Sequence, residues 1–193
     1  MEWRDCVVVY MDLPDLKKEA LAKQGRGSSL MRTFHSVLAE ALSTGFPSLD
    51  HAYAWNDSVL LLAYVGASAA SYTDCLRDVD LLKRQVDARI KRTSYAIAVK
   101  GQTFPGLPFT NRRAVDRTAR LTILRTASYA MGNCFAIEKE AKSRKLRKAW
   151  YLDVRIARRV PQLQSTQWIS VPLLPTGKSR RVYVHAGYLW DGI

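Results

Sequence analysis

The sequence predicts an α+β sandwich, in which helices pack on a sheet made mostly of antiparallel strands. Three observations predict it. Strand-like runs of β-branched and apolar residues alternate with amphipathic helical runs. Two strand-like runs are separated only by Asn56-Asp57, a dipeptide typical of hairpin turns. The 193 residues, 48% of them hydrophobic and 24% charged, are enough for one core. We treat residues 1–193 as one domain, with a core of about residues 5–155 and a C-terminal strand hairpin extension at 156–193.

The first half of the chain contains a strand that is apolar throughout and therefore predicts burial on both faces. It ends at Asp12. Two helical runs follow, and the second has one apolar stripe and stops at Gly45-Phe46-Pro47. The predicted elements are the strand Cys6–Met11, the helices Leu16–Lys23 and Leu30–Leu42, and the hairpin strands His51–Trp55 and Ser58–Val65.

The second half continues the alternation. It begins with a long amphipathic helix and a strand, followed by a loop rich in Pro and Gly. The predicted elements are the helix Ser68–Arg89, the strand Ser94–Val99, the loop Gly101–Thr110, the helix Arg117–Lys142, the strand Trp150–Val154, and the strand candidates Gln167–Leu173 and Arg181–Tyr188.

This order of elements is typical of ferredoxin-like and polymerase-palm folds, whose first strand lies beside the following hairpin at the sheet centre. Asp12 and Asp57 are then expected at one edge of the sheet. Two carboxylates there suit a pair of Mg²⁺ or Mn²⁺ ions, because these hard cations prefer oxygen ligands and leave positions open for phosphate. Each residue also has a simpler interpretation: Asp12 as a turn or helix-cap residue, and Asn56-Asp57 as a hairpin turn alone.

The charge is strongly positive and unevenly distributed. Thirty Lys and Arg against 17 Asp and Glu give a net charge of +13. Residues 1–90 have a net charge of −2 and residues 91–193 a net charge of +15. A polyanionic partner or substrate is expected, and the unlike halves favour pairing of two copies. Charge alone does not choose between a nucleotide and a polynucleotide.

Cysteine usage and the N-terminus predict a cytoplasmic protein with reduced, buried thiols. Cys6, Cys75 and Cys134 are far apart and lack the spacing of a zinc site or a disulfide framework. The N-terminal residues Met1–Asp5 include acids where a signal peptide is basic and then apolar. The uncharged run Val59–Ala70 is shorter than the roughly 20 residues that a membrane span needs.

Two short motifs give the sequence a resemblance to the class III nucleotidyl cyclases. Tyr10-Met11-Asp12-Leu13 matches the end of the first strand of that family, and Trp55-Asn56-Asp57-Ser58 matches the hairpin that carries its second Asp. The two Asp residues are 45 positions apart, close to the usual spacing of the family. The small size and the segments Gly132–Glu140 and Trp150–Asp153 resemble in particular the Pycsar pyrimidine cyclases of bacterial antiphage defence. The resemblance covers about residues 5–155.

The resemblance implies a fold, an activity and a set of site residues. The fold would be the catalytic domain of adenylate and guanylate cyclases. Pycsar enzymes convert UTP or CTP to the cyclic monophosphate as homodimers with sites at the interface, and a separate effector reads the product. By this resemblance the chain is a uridylate cyclase in preference to a cytidylate cyclase. Asp12 and Asp57 would hold two Mn²⁺ or Mg²⁺ ions, with the Leu13 carbonyl as a backbone ligand.

Tyr53 stands four residues before Asp57, where the similar purine cyclases carry the Lys or Glu that reads the base. A tyrosine fills more of the pocket and suits a single-ring base, although it is also an ordinary strand residue. The family's transition-state Asn and Arg are replaced by Ala136 and Glu140, so another cation is required. The candidates are Lys100, Lys142 and Arg144, together with Arg92 and Lys139.

Three other interpretations remain open. Basic clusters at Arg144–Lys148 and Arg155–Arg159, with Trp150 and Tyr151 between them, are compatible with a non-enzymatic RNA- or DNA-binding module. A purine or cytidylate cyclase is a second possibility. The loss of the family's Asn and Arg leaves a degenerate, inactive domain as a third.

Overall fold

A seven-stranded sheet forms the centre of the computed structural model, which describes residues 3–14, 26–43, 45–103, 115–116, 121–122, 128–146 and 148–191. A separate two-stranded sheet pairs β5 with β6. The strands are β1 (Arg4–Asp12), β2 (His51–Trp55), β3 (Ser58–Tyr64), β4 (Tyr95–Thr103), β5 (Val115–Asp116), β6 (Leu121–Thr122), β7 (Trp150–Asp153), β8 (Trp168–Pro172) and β9 (Ser179–His185). The helices are α1 (Arg26–Ser43), α2 (Ala69–Ile90), α3 (Tyr129–Ser143) and α4 (Val154–Ala157).

The strand order in the large sheet is β2-β3-β1-β4-β7-β9-β8. All neighbours are antiparallel except β4 and β7, which are parallel. The first four strands have the ferredoxin-like order that the sequence predicts, with β1 between β3 and β4. The predicted α+β fold with an antiparallel-rich sheet is confirmed.

Helices cover both faces of the sheet, so there are two apolar cores. The first face packs against α1 and α2, and the second packs against α3. Successive residues of a strand point to opposite faces, which places Val9 in the first core and Val8 in the second. Strand β1 is therefore buried on both sides, as its apolar sequence predicts. The predicted stripe of α2 also faces the first core: Leu76, Val79, Leu82, Val86 and Ile90.

Helix α3 lies very close to the sheet because β4 has a glycine beneath it. A Cβ atom on Gly101 would lie 2.5 Å from the Ala130 Cβ atom, closer than real Cβ contacts allow. Ser128 begins the helix, and its side chain accepts a hydrogen bond from the Ala130 amide. The contact fixes the height of α3 above the strands that carry the candidate site.

Several predicted boundaries are wrong. The predicted helix Arg117–Lys142 begins only at Tyr129, and its first part contains the two-residue strand β6, because β-branched residues around Thr122 disfavour a helix. The chain turns into α4 at Val154, where the Asp153 carboxylate caps the helix. Strand β9 ends at His185, three residues before the predicted end. The predicted helix Leu16–Lys23 lies outside the described residues.

The C-terminal hairpin continues the main sheet, because β9 pairs with β7. The segment after it packs on α2 through a buried carboxylate. Asp80 accepts hydrogen bonds from the Trp150 indole nitrogen and the Leu189 amide, each at 3.0 Å, and forms an ion pair with Arg84. All three cysteines are free and buried, as predicted. Among the helices of the described ranges, none has the length and apolar composition to cross a membrane.

Candidate active site

The candidate site is built on a row of four residues that crosses the second face of the sheet. Trp55 of β2 is opposite Ser58 of β3, Ser58 is opposite Asp12 of β1, and Asp12 is opposite Tyr95 of β4. Residues directly opposite each other in antiparallel strands present their side chains to the same face. Asp12 is therefore flanked by a hydroxyl group on each side, at the end of the central strand.

The two oxygens of the Asp12 carboxylate are held by these two hydroxyl groups. The Ser58 hydroxyl donates to Oδ1 at 2.6 Å, and the Tyr95 hydroxyl lies 2.7 Å from Oδ2. Asp12 is almost fully buried. Burial raises the pKa of its carboxyl group, the nearby negative charges of Asp57 and Glu138 add to the rise, and the two hydrogen bonds oppose it.

Asp57 lies beside Asp12 in the β2–β3 turn. Asn56 precedes it with a φ of 49°, a left-handed conformation that asparagine tolerates. The Leu13 amide donates to the Asp57 carbonyl at 3.1 Å, which ties the end of β1 to this turn. The predicted meeting of Asp12, Leu13 and Asp57 at one edge of the sheet is present in the structure.

Helix α3 adds a third acidic group and a cation to this edge. Oε1 of Glu138 lies 2.5 Å from the Tyr95 hydroxyl and 2.6 Å from Nζ of Lys142. Burial alone would lower the pKa of Lys142, but Glu138, Asp12 and Asp57 together raise it. Lys142 therefore stays charged, and its ammonium group lies within the field of all three carboxylates.

Of the predicted nucleotide contacts, the structure brings Lys142 towards Asp12 and places Tyr53 on the same face of the sheet. Tyr53 is half-buried, opposite Leu60 and two residues before Trp55, so it lies on the second face. Arg144 instead pairs with Glu140 at 2.6 Å. Lys100 is opposite Val7 and pairs with Asp5. Lys100 comes five residues after Tyr95, the β4 residue opposite Asp12. At about 3.3 Å per residue it lies roughly 16 Å further along β4, and its side chain points to the first face of the sheet.

Other positions singled out in the sequence lie away from the Asp12 carboxylate. Ala136, at the family's Asn position, packs against the second core, and Glu140 is the partner of Arg144. Lys139 is exposed on α3. The Arg92 amide bonds to the Asp87 carbonyl at the end of α2.

Three site residues were not singled out from the sequence: Ser58, Tyr95 and Glu138. Ser58 follows Asp57 directly, and the strand register alone would have placed it beside Asp12. Tyr95 begins β4, so its position depends on the register of a distant strand pair. Glu138 precedes Lys142 by four residues, a spacing that puts both on one helix face, but the sequence does not show which strands that face meets.

The aromatic residues between the basic clusters are not available for stacking. Trp150 and Tyr151 are completely or almost completely buried, one in each core. Their strand, β7, lies inside the sheet between β4 and β9. The expectation that they form exposed platforms for nucleic-acid bases is therefore wrong.

The donors at this edge suit a hard cation that is shared with a substrate. Each Asp12 oxygen accepts one hydrogen bond and keeps a second lone pair. Across the described ranges, no cluster of three or more His, Cys, Asp or Glu side chains could enclose a metal. Asp12, Asp57 and the Leu13 carbonyl would thus supply part of a coordination sphere, and phosphate oxygens and water would complete it.

Several solved structures of nucleotide cyclases have the same architecture as this chain. The guanylyl cyclase Cya2 matches with a TM-score of 0.64 at 9% identity, over 99% of this chain and 96% of that one. The adenylyl cyclase CyaB from P. aeruginosa matches with a TM-score of 0.64 at 6% identity, over 95% of this chain and 94% of that one. The chain has the fold of a nucleotidyl cyclase domain.

A third structure with this cyclase fold contains a bound nucleotide analogue. It is the catalytic core of a rhodopsin-guanylyl cyclase with converted specificity, in complex with ATPαS. Its TM-score is 0.62 at 9% identity, over 97% of this chain and 98% of that one. No protein-family model and no curated protein matches the chain. The cyclase fold is therefore established by structure, at low sequence identity.

Proposed function

We propose that this protein is a nucleotidyl cyclase that converts a pyrimidine nucleoside triphosphate, with UTP favoured over CTP, to the 3′,5′-cyclic monophosphate and pyrophosphate. The proposal rests on one observation. In a cyclase fold, Asp12 at the end of the central strand β1 lies beside the turn that contains Asp57. The role in antiphage signalling that the resemblance implies, with a separate effector for the product, belongs to the same proposal.

In the proposed reaction the ribose 3′-oxygen attacks the α-phosphorus. A bond forms between them, the bond from the α-phosphorus to the pyrophosphate oxygen breaks, and the hydroxyl proton leaves to solvent. Mg²⁺ or Mn²⁺, when bound, would neutralise the triphosphate and lower the pKa of the 3′-hydroxyl. Asp12 and Asp57 would hold two such ions, with the Leu13 carbonyl as a further ligand.

Lys142 is the proposed cation for the transferring phosphoryl group, because it is the candidate whose charge interacts with both Asp12 and Asp57. Its side chain is largely exposed and its ammonium group has three hydrogens, so it can bind a phosphate while it stays paired with Glu138. Arg144 and Lys100 remain less favoured predictions, since their contacts are with Glu140 and Asp5.

Pyrimidine preference is supported by Tyr53. Its ring lies on the face that carries Asp12, one row of residues behind Trp55. A tyrosine leaves less room for a base than a lysine and offers a stacking face, so we propose that it favours a single ring.

We also propose a homodimer with the site at its interface. The large side chains exposed on or near the second face include the aromatic residues Trp55, Tyr129 and Phe135. The ring of Phe135 packs edge-on against Tyr10, which in turn stacks on Trp55, so these exposed rings continue a packed aromatic cluster. A second copy would cover them.

The test is to incubate the protein with Mn²⁺ and each of ATP, GTP, CTP and UTP, and to identify the products by mass. We expect one dominant cyclic pyrimidine nucleotide, and its loss in Asp12→Ala and Asp57→Ala. Asp74→Ala, which removes an exposed carboxylate on α2, is the matched control and should retain full turnover. Sedimentation of the same samples gives the oligomeric state.

Retained turnover in folded Asp57→Ala would refute the metal assignment. A cyclic purine product would refute the pyrimidine preference. If none of the four nucleotides is converted, the catalytic proposal fails, and steeply salt-dependent RNA binding that is indifferent to Asp12 and Asp57 would instead support a binding module.

A further inference from the structure

Asp12 and four neighbouring side chains form a closed ring of polar contacts. From Asp12 the ring runs through the Ser58 hydroxyl at 2.6 Å, the Tyr10 hydroxyl at 3.0 Å and Oε1 of Glu138 at 3.5 Å. It returns through the Tyr95 hydroxyl, 2.5 Å from Glu138 and 2.7 Å from Asp12. Three strands and helix α3 contribute to this ring, so it joins the sheet to the helix at the candidate site.

The number of hydrogens in the ring limits which contacts can be hydrogen bonds at one time. Each of the three hydroxyl groups has one hydrogen to donate. Ser58 donates to Asp12. Tyr95 lies between two carboxylate groups, so when it donates to one of them it cannot donate to the other. Asp12 and Glu138 therefore compete for a single hydrogen.

Lys142 changes the outcome of this competition. Its ammonium group donates to Oε1 of Glu138 at 2.6 Å, the same oxygen that faces Tyr95. A charge-assisted bond of this kind is stronger than a bond from a neutral hydroxyl. Because Glu138 already has this partner, the hydrogen of Tyr95 is directed to Oδ2 of Asp12.

We infer that Tyr95 is a positioning residue for Asp12, and that Glu138 and Lys142 orient it. This inference rests on the proposed function of Asp12 as a metal ligand. With both oxygens held by hydroxyl groups, the carboxylate cannot rotate, and its remaining lone pairs face a fixed direction. Metal ligands commonly need such a partner, and loss of the partner lowers metal affinity or activity about 10- to 100-fold.

The position of helix α3 also affects the contacts around Asp12. Glu138 and Lys142 are one turn apart on α3, and the shorter of the two links from Glu138 to Asp12 passes through Tyr95. A shift of the helix by about one hydrogen-bond length would change the distance between Glu138 and Tyr95, and with it the competition for the Tyr95 hydrogen. Contacts made by α3 elsewhere could in this way alter the geometry of Asp12.

The test compares Tyr95→Phe with the matched control Tyr188→Phe. Both changes remove a tyrosine hydroxyl that contacts a carboxylate, but Tyr188 contacts Asp87, at the C-terminal end of α2. The first measurement is Mn²⁺ binding without nucleotide, by calorimetry. We expect Tyr95→Phe to weaken it about 10-fold or more, and Tyr188→Phe to leave it unchanged. In the turnover assay, Tyr95→Phe should lower kcat with little change in the KM for the nucleotide.

Circular dichroism and thermal melting check that both variants are folded. Unchanged Mn²⁺ affinity in folded Tyr95→Phe would overturn the inference. If Tyr95→Phe does not fold, Lys142→Met replaces it: Glu138 loses its charged partner and can take the hydrogen of Tyr95, so Mn²⁺ binding should weaken even though a positive charge has been removed from the site; unchanged or tighter binding there also overturns the inference. If the wild-type protein makes no cyclic nucleotide but binds Mn²⁺ through Asp12 and loses affinity in Tyr95→Phe, the proposed function fails while the positioning role stands.

Discussion

At the scale of single residues, Asp12 combines two properties that oppose each other. Its carboxylate is almost fully buried, and its hydrogen-bond partners are neutral hydroxyl groups. Burying a charge without a cation beside it lowers the stability of the folded state. Such a cost is common at functional sites, where stability is lost in exchange for reactivity.

Asp12→Asn is therefore expected to stabilise the fold while it removes activity. The change keeps the size of the side chain and removes the buried charge, and we expect the free energy of unfolding to rise by about 1 kcal/mol at neutral pH. Because burial raises the pKa of Asp12, the cost is present above the pKa of the folded carboxyl and disappears as the pH falls below it. Denaturant unfolding at several pH values measures this, with exposed Asp74→Asn as the control. A less stable Asp12→Asn at neutral pH would contradict the argument.

The two acidic residues could be found in the sequence because each stands at the end of a short local pattern. Asp12 closes an apolar strand and Asp57 lies in a two-residue turn. Tyr95 and Glu138 have no such pattern. They reach Asp12 through pairing of β4 with β1 and packing of α3 on the sheet, and both depend on contacts between distant parts of the chain.

At the scale of elements, the close contact between α3 and β4 sets the position of a helix that carries residues of the candidate site. Helix α3 approaches the sheet over Gly101, and the same helix carries Glu138 and Lys142 towards Asp12. The sequence indicated this helix but not its start, because a serine within a helical run does not by itself identify the N-cap, which the structure places at Ser128. A glycine within β4 gave no local sign of the helix above it.

Gly101→Ala is expected to lower stability, because the added methyl group would lie 2.5 Å from the Ala130 Cβ atom. Overpacking of this kind costs about 1–3 kcal/mol. Gly66→Ala is the matched control, since nothing lies within 4 Å of the Cβ atom that it would add. Urea unfolding of the two variants tests the comparison. Equal stability of both would show that α3 can move away from β4 at little cost.

At the scale of the whole molecule, the C-terminal residues complete the sheet and fasten it to α2. Alternating apolar residues indicated two late strands, but no local pattern showed that β9 pairs with β7 or that Asp80 lies below the segment after β9. Asp80 has three partners from three separate regions: Arg84, Trp150 and Leu189. These contacts tie the segment after β9 to α2 and to the start of β7.

Asp80→Ala is expected to destabilise the entire chain by about 3–5 kcal/mol, because it leaves buried donors without a partner. Asp80→Asn should cost less, since its amide oxygen can still accept from Trp150 and Leu189. Exposed Asp74→Ala on the same helix should change stability by less than about 0.5 kcal/mol. Denaturant unfolding followed by tryptophan fluorescence measures all three. A loss in Asp80→Ala no larger than that of the control would mean that the C-terminal segment is held by apolar contacts alone.

The central position of β1 has a consequence for folding during synthesis. This strand leaves the ribosome before its partners β3 and β4, and its residue Arg4 is opposite Thr103 in the pairing with β4. Pairing over such long sequence separations is slow. Until β4 has been made, an apolar strand that is buried on both faces in the final fold has no neighbour on its β4 side. Nascent chains with exposed apolar strands aggregate readily, so the strand that carries the candidate catalytic carboxylate is also the one that most needs protection while the protein is being made.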